Sequence, residues 1–113
     1  MTVLLPLLLG LACGTPEPVA EPPPDCASLT PQATADRCWM DQLLGLPHDP
    51  VGAVVETARR IQDPVIRGAA VFGWIDLNAT KSAPADAARV CEVLEGPNRR
   101  ICDRRQKSWH LQR

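Results

Sequence analysis

Cysteines are the residues of this 113-residue chain that most clearly suggest chemistry. Cys91 and Cys102 stand at equal distances either side of a Gly96-Pro97 break, in the stretch CEVLEGPNRRIC. Such a pair can hold a metal, cycle between oxidised and reduced forms, or form a structural disulfide. The remaining cysteines are Cys13, Cys26 and Cys38. The rest of the sequence decides between these three chemistries.

A metal or redox site matches the pattern poorly. Metal-binding cysteines and histidines cluster at short spacings, whereas this chain has no CxxC and only two histidines, His48 and His110. It also lacks the CxxC motif of a thioredoxin-like centre. The pair His48-Asp49 suggests acid–base work, but Asp49 precedes a proline as Asp63 does, which is typical of a helix cap. We therefore predict no catalytic residue, no metal, no cofactor and no enzymatic activity.

The N-terminal stretch MTVLLPLLLGLACGT is apolar over the length of a signal-peptide core and is too short for a mature membrane span. Its residues Gly10-Leu11-Ala12-Cys13 resemble the lipobox of bacterial lipoproteins. The resemblance implies that residues 1–12 are a signal peptide, that Cys13 carries the lipid, palmitate included, and that Gly14 favours the outer membrane. The alternative is ordinary signal peptidase acting at Ala12-Cys13-Gly14, which releases a soluble secreted protein.

A proline-rich acidic segment, TPEPVAEPPPD, follows at residues 15–25. Its composition cannot build a hydrophobic core and is typical of an extended spacer. A spacer of this kind is most useful when something upstream is anchored. We therefore predict that residues 13–25 are a lipidated cysteine followed by a tether, and that the membrane is a partner through this anchor.

An internal repeat indicates how the other cysteines pair. The pattern C91-x2-L94-x2-P97-x2-R100-x-C102 recurs 33 residues earlier as A58-x2-I61-x2-P64-x2-R67-x-A69. Where one cysteine becomes alanine, the other does too, as expected for a disulfide within the unit. Since exported chains with an even set of cysteines form disulfides, we predict Cys91–Cys102, and Cys26–Cys38 from a looser copy around Pro31. In the middle unit, Ala58 and Ala69 are expected to face each other.

Helices account for the whole of the predicted domain, residues 26–113. Thr30-Pro31, Asp49-Pro50 and Asp63-Pro64 each place a capping residue before a proline suited to the first helical turn. The predicted helices span 31–44, 50–62, 64–77, 84–96 and 97–109. Apolar residues recur at helical spacing in the second of them, at Val51, Val54, Val55, Ala58 and Ile61. We predict an all-α fold, a short array of antiparallel helical hairpins stapled by two disulfides.

The stretch ARRIQDPVIRGAA in the middle unit resembles the helix-DP-helix joint of HEAT-like bacterial α-helical repeats. Repeats of that class mostly bind other proteins, so the resemblance implies an interaction surface rather than an activity. We predict a small structural or protein-binding module of the cell envelope, with a protein partner of unknown identity.

Basic residues gather at the C-terminal end, although the formal net charge of the whole chain is only −1. This balance does not favour nucleic acid as a partner. A second function is contact with anionic lipid or envelope polymer, for which the candidate residues are Arg100, Arg104, Arg105, Lys107 and Trp109. The competing interpretation is a solvated face on which Asp103 pairs with Arg99 and Lys107.

Overall fold

The computed structural model describes residues 25–111. The predicted signal peptide, Cys13 and residues 14–24 of the predicted tether lie outside the described residues. So do residues 112–113. The described part begins with a 3₁₀ turn and continues as five α-helices. Their bounds are Cys26–Ser28 for the turn, and Gln32–Leu44 (α1), Val51–Arg60 (α2), Pro64–Asn78 (α3), Pro84–Cys91 (α4) and Gly96–Leu111 (α5).

The predicted all-α class is confirmed, since residues 25–111 contain no strand. Helices α1, α3 and α5 lie side by side in one layer, and α2 and α4 form a second layer that packs against it. The three helices of the first layer run in the same direction. Near their starts, Asp36 of α1 binds the backbone of Asp63 just before α3, and Gly68 of α3 lies beside Asn98 of α5. One such contact near the ends is the hydrogen bond from the Trp74 indole to the Leu46 carbonyl (3.2 Å). Successive helices are therefore antiparallel.

The core lies between the two layers. The stripe predicted for the second helix is confirmed: Val51, Val54, Val55 and Ala58 of α2 are buried, as is Ile61 after it. Trp74 and Ile75 of α3 are fully buried against them. Full burial of a valine or isoleucine side chain contributes about 1.5–3 kcal/mol to stability. The buried apolar stripe, more than helix propensity, therefore holds α2 in place.

Both predicted disulfides are confirmed. Cys91, the last residue of α4, is joined to Cys102 in α5 with their Cα atoms 5.6 Å apart. Cys26 of the 3₁₀ turn is joined to Cys38 in α1 with the Cα atoms 5.4 Å apart. The first bridge joins two antiparallel helices as expected. The second ties an N-terminal turn, rather than a helix, to the middle of α1.

The helices begin within one residue of the predicted positions, but only one of the three predicted capping residues, Asp63, caps its helix. The Asp63 carboxylate accepts hydrogen bonds from the backbone N–H groups of Val65 (2.7 Å) and Ile66 (3.2 Å). Thr30 and Asp49 do not act as caps, because the proline after each occupies the capping position itself and the helix begins one residue later. The prediction that all three residues cap helices is thus wrong for two of them.

Two further expectations are corrected by the packing. Ala58 is buried but Ala69 is exposed, so these two alanines do not pack face to face. The fourth helix ends at Cys91 and not at Gly96, because Val93 and Leu94 turn inward and are buried. Gly96 then takes a backbone φ of +58°, a conformation that favours glycine, as the chain enters α5.

Candidate functional site

The residues predicted to contact an anionic surface separate into two groups on α5. Arg100, Arg104 and Lys107 recur at helical spacing (i, i+4, i+7) and are all exposed, so they share one solvent-facing side. Leu111, which is 85% exposed, continues the same side at the next turn. We call Arg100, Arg104 and Lys107 the basic face. Since α5 is the last described helix, this face covers the end of the array.

Arg105 and Trp109 instead turn towards α3, where both bind Asp76. The Arg105 guanidinium donates from Nε to Oδ1 (2.8 Å) and from Nη2 to Oδ2 (3.0 Å), and the Trp109 indole N–H donates to Oδ1 (2.9 Å). The Arg105 hydrogen bonds lower the pKa of Asp76 despite its partial burial, and Asp76 in turn raises the pKa of Arg105. The same guanidinium lies 5.5 Å from the centre of the Phe72 ring.

This cluster changes the sequence interpretation of the C-terminal helix. Trp109 is half-buried with its indole N–H engaged, so it does not stand free as an interfacial anchor. The expected pairing of Asp103 with Arg99 and Lys107 is also wrong. Among residues 25–111 the only ion pair is Arg105–Asp76. The basic face therefore carries three cations that no described carboxylate neutralises.

An apolar cleft adjoins the basic face. It has a volume of about 470 Å³ and lies between the start of α4 and the end of α5. Pro84, Ala88 and Leu111 provide carbon surface, and Lys107 and His110 also line the cleft. A cation beside apolar surface is the combination that suits an anionic amphiphile.

A second concave surface, which the sequence did not reveal, lies at the opposite end of the array. We call it the Trp39 groove; it has a volume of about 270 Å³. Its walls come from the N-terminal turn, α1, the end of α2 and the linker after it, and comprise Ala27, Gln32, Ala35, Trp39, Arg59, Arg60 and Gln62. The Arg60 guanidinium carbon lies 5.0 Å from the centre of the Trp39 ring, within the range of a cation–π contact. The groove is thus both aromatic and cationic.

Asp36 fixes the floor beneath this groove. Its carboxylate is 1% exposed and accepts three hydrogen bonds. Oδ1 accepts from the Gln32 side-chain amide (2.8 Å) and the Gln62 backbone N–H (3.0 Å), and Oδ2 accepts from the Asp63 backbone N–H (2.9 Å). Burial alone would raise the pKa of Asp36, but these donors together with the Arg67 charge lower it.

The arginine that recurs in the repeat pattern has a structural role in the middle unit, since the Nε of Arg67 donates to the Ile61 carbonyl (2.8 Å). Arg100, its counterpart in the last unit, is instead exposed on the basic face. The sequence predicted no role for Asp36. The available signal was an acid inside the predicted helix 31–44, three residues before a tryptophan.

Residues 25–111 contain neither a candidate metal site nor a candidate membrane span. No group of three or more Cys, His, Asp or Glu side chains in residues 25–111 is placed to hold a metal ion. No helix in this part of the chain is both long and apolar enough to cross a bilayer. The chain matches no protein-family model, no curated protein and no solved structure.

Proposed function

We propose that this protein is an exported, membrane-tethered lipoprotein whose stapled helical domain is a small, non-enzymatic structural or protein-binding module of the bacterial cell envelope. The protein would reside at the outer membrane or in the periplasm, with Cys13 as the lipidated residue. A secreted soluble form, cut at Ala12-Cys13-Gly14, is the alternative.

The pairing of the cysteines is the observation that carries this proposal. Of the five cysteines, four are consumed in two disulfides, which leaves Cys13 alone. Disulfides persist in oxidising compartments outside the cytosol, which supports export. An odd cysteine directly after a lipobox-like sequence is then explained by lipidation, and the proline-rich stretch between Cys13 and the domain is explained as a tether.

Intact-mass analysis of the native protein, before and after reduction and alkylation, tests these points together. We expect a mature chain that begins at Cys13, carries the added mass of acyl chains, and exposes four alkylatable thiols only after reduction. A mature chain that begins at Thr15 would support the secreted alternative. Four thiols that are free before reduction, in material from an oxidising compartment, would contradict export.

The substitution Cys13→Ser distinguishes a lipid anchor from other ways of holding the protein at the membrane. In a bacterial host fed labelled palmitate, the wild-type protein should incorporate label, whereas Cys13→Ser should not and should accumulate in uncleaved form. Cys91→Ser/Cys102→Ser serves as the control, because it also removes cysteines but leaves Cys13 in place. Label in Cys13→Ser, or none in the wild type, would refute the lipid anchor.

A second candidate function is contact with anionic lipid headgroups or a polyanionic envelope polymer through α5. The observation that favours it is the arrangement of Arg100, Arg104 and Lys107 on one exposed side next to an apolar cleft. Cations near an anionic surface contribute about 1 kcal/mol each, so three of them give an attraction that salt will screen.

Charge reversal of the basic face, Arg100→Glu/Arg104→Glu/Lys107→Glu, tests this second function by co-sedimentation with vesicles that contain phosphatidylglycerol. The control variant reverses three exposed cations elsewhere, at Arg37, Lys81 and Arg89. Loss of binding in the first variant but not in the control would support a role for the basic face. Equal loss in both would indicate non-specific charge attraction, and binding that ignores salt would exclude the electrostatic mechanism.

A further inference from the structure

The two arginines of the Trp39 groove have no acidic partner within the described domain. Arg59 and Arg60 occupy the last turn of α2 and are exposed, and the only ion pair in residues 25–111 lies elsewhere, between Arg105 and Asp76. The Arg60 guanidinium lies over the Trp39 ring, with its carbon 5.0 Å from the ring centre. Arginine in this arrangement is well suited to bind a carboxylate.

The Trp39 groove is preformed, because contacts within the domain hold its walls in place. Asp36 connects its two walls, because it binds the Gln32 side chain on α1 and the Gln62 backbone in the linker after α2. Trp39 adds a half-buried aromatic surface between them. A groove whose walls are already fixed loses little conformational freedom on binding.

The N-terminal segment of the chain enters the domain at the edge of this groove. Ala27 lines the groove, and the residue before it, Cys26, is bonded to Cys38, the neighbour of Trp39. Residues 15–24 are attached to this point through Asp25. Proline-rich segments extend by about 3.1 Å per residue, so residues 15–24 can reach every wall of the groove.

The chemistry of that segment complements the groove. Residues 15–24, TPEPVAEPPP, contain five prolines and two glutamates, Glu17 and Glu21, with no basic residue. Proline-rich segments bind grooves lined with aromatic side chains because little conformational entropy is lost, and the two carboxylates match Arg59 and Arg60 in number and sign. We propose that the Trp39 groove binds the chain's own proline-rich acidic segment, residues 15–24.

Attachment makes even a weak contact significant. A segment joined by a short link is present at an effective concentration in the millimolar range, so a contact with a Kd of about 1 mM as a free peptide is about half-occupied within the chain. The bound segment shortens the distance between the domain and whatever holds the N-terminus.

Backbone NMR relaxation of the purified mature protein tests this binding directly. In the wild type, the ¹⁵N amides of Glu17, Val19 and Glu21 should show heteronuclear NOE values that approach those of the helices. In Arg59→Gln/Arg60→Gln these values should fall to those of a free chain, and the Trp39 indole resonance should shift. Raising the salt from about 0.05 M to about 0.5 M should release the segment in the wild type in the same way.

Control variants make the outcome decisive. Arg99→Gln/Arg100→Gln removes two adjacent exposed arginines from α5 and should leave the segment bound. The Trp74 indole resonance, from a fully buried core residue, reports that each variant is folded. Free-chain NOE values in the wild type, or no difference between the two arginine pairs, would overturn the proposal. A dependence on protein concentration would show that the groove takes the segment of a second copy, and that too would overturn it. Neither readout depends on whether Cys13 carries lipid.

Discussion

The buried carboxylate of Asp36 is predicted to be one of the largest single polar contributions to stability in this domain, and Asp36→Asn tests that directly. The substitution keeps the shape of the side chain but replaces one acceptor oxygen by a donor. If the amide oxygen stays at the Oδ1 position, it keeps the bonds from Gln32 and Gln62. The new NH₂ group then faces the Asp63 N–H, which loses its acceptor.

The expected cost follows from these contacts. Leaving the Asp63 N–H of this part-buried hydrogen bond without an acceptor costs about 1–3 kcal/mol, and each of the two remaining bonds loses about 1 kcal/mol when its acceptor is no longer charged. We therefore expect Asp36→Asn to lower the free energy of unfolding by on the order of 3 kcal/mol. For a domain of this size, each kcal/mol lowers Tm by about 4–8 °C, so the melting temperature should fall by roughly 10–25 °C.

Urea unfolding followed by circular dichroism, with both disulfides intact, measures this change. Asp41→Asn is the matched control, because Asp41 lies on the same helix but is exposed. It should change stability by less than about 0.5 kcal/mol. If Asp36→Asn is as stable as Asp41→Asn, the argument that Asp36 holds the linker after α2 is wrong.

The pH dependence gives a second, independent signature. The pKa of Asp36 in the folded protein lies below its ordinary value, because the hydrogen bonds and Arg67 outweigh the effect of burial. Stability from a depressed carboxylate pKa is fully present above the unfolded-state pKa of about 3.9 and is lost as the pH falls through the folded-state pKa. The difference in stability between wild type and Asp36→Asn should therefore be largest above about pH 5 and should narrow below about pH 4.

Three further predictions concern other parts of the fold. Replacing the Cys91–Cys102 bridge by two serines should lower the free energy of unfolding by about 3 kcal/mol, measured by urea titration, because a loop of this size is no longer closed in the unfolded chain. Gly96→Ala should destabilise the domain by about 1–2 kcal/mol, because the backbone at Gly96 has a positive φ. Gly52→Ala, in an open position within α2, should stabilise it by about 0.5–1 kcal/mol. Thermal melts in which both variants shift Tm in the same direction would contradict this. Asp76→Asn should cost no more than about 1 kcal/mol, since the ion pair is partly exposed, and should change the Trp109 fluorescence.

The sequence predicted the covalent framework and the helices because both depend on local or repeated patterns. The joint replacement of Cys91 and Cys102 by alanines 33 residues earlier identified a bonded pair without any knowledge of the fold. The apolar spacing in α2 identified its buried side correctly. The same repeat was misleading for Ala69, which is exposed because the middle unit keeps the spacing of the pattern without its packing.

The candidate sites depend on contacts between distant parts of the chain, which no local pattern encodes. Arg105 and Trp109 belong by sequence to the basic end of the chain, but Asp76, about thirty positions earlier, binds both. No local pattern marks Asp36 as a buried residue, yet it binds backbone amides 26 and 27 positions away. Charge and spacing therefore gave the composition of the C-terminal surface but not which of its cations remain free.

The Cys26–Cys38 bridge also determines how mechanical force would enter this domain. A pull applied at residues 15–25 reaches Cys26 and passes through the sulfur atoms to Cys38 in the middle of α1. The residues between the two cysteines carry no load, so the pulling force cannot unfold α1 progressively from its N-terminal end. When the domain is stretched to rupture, its released length should increase by roughly 35–40 Å once the bridge is reduced, since 12 residue steps are then added to the extensible chain.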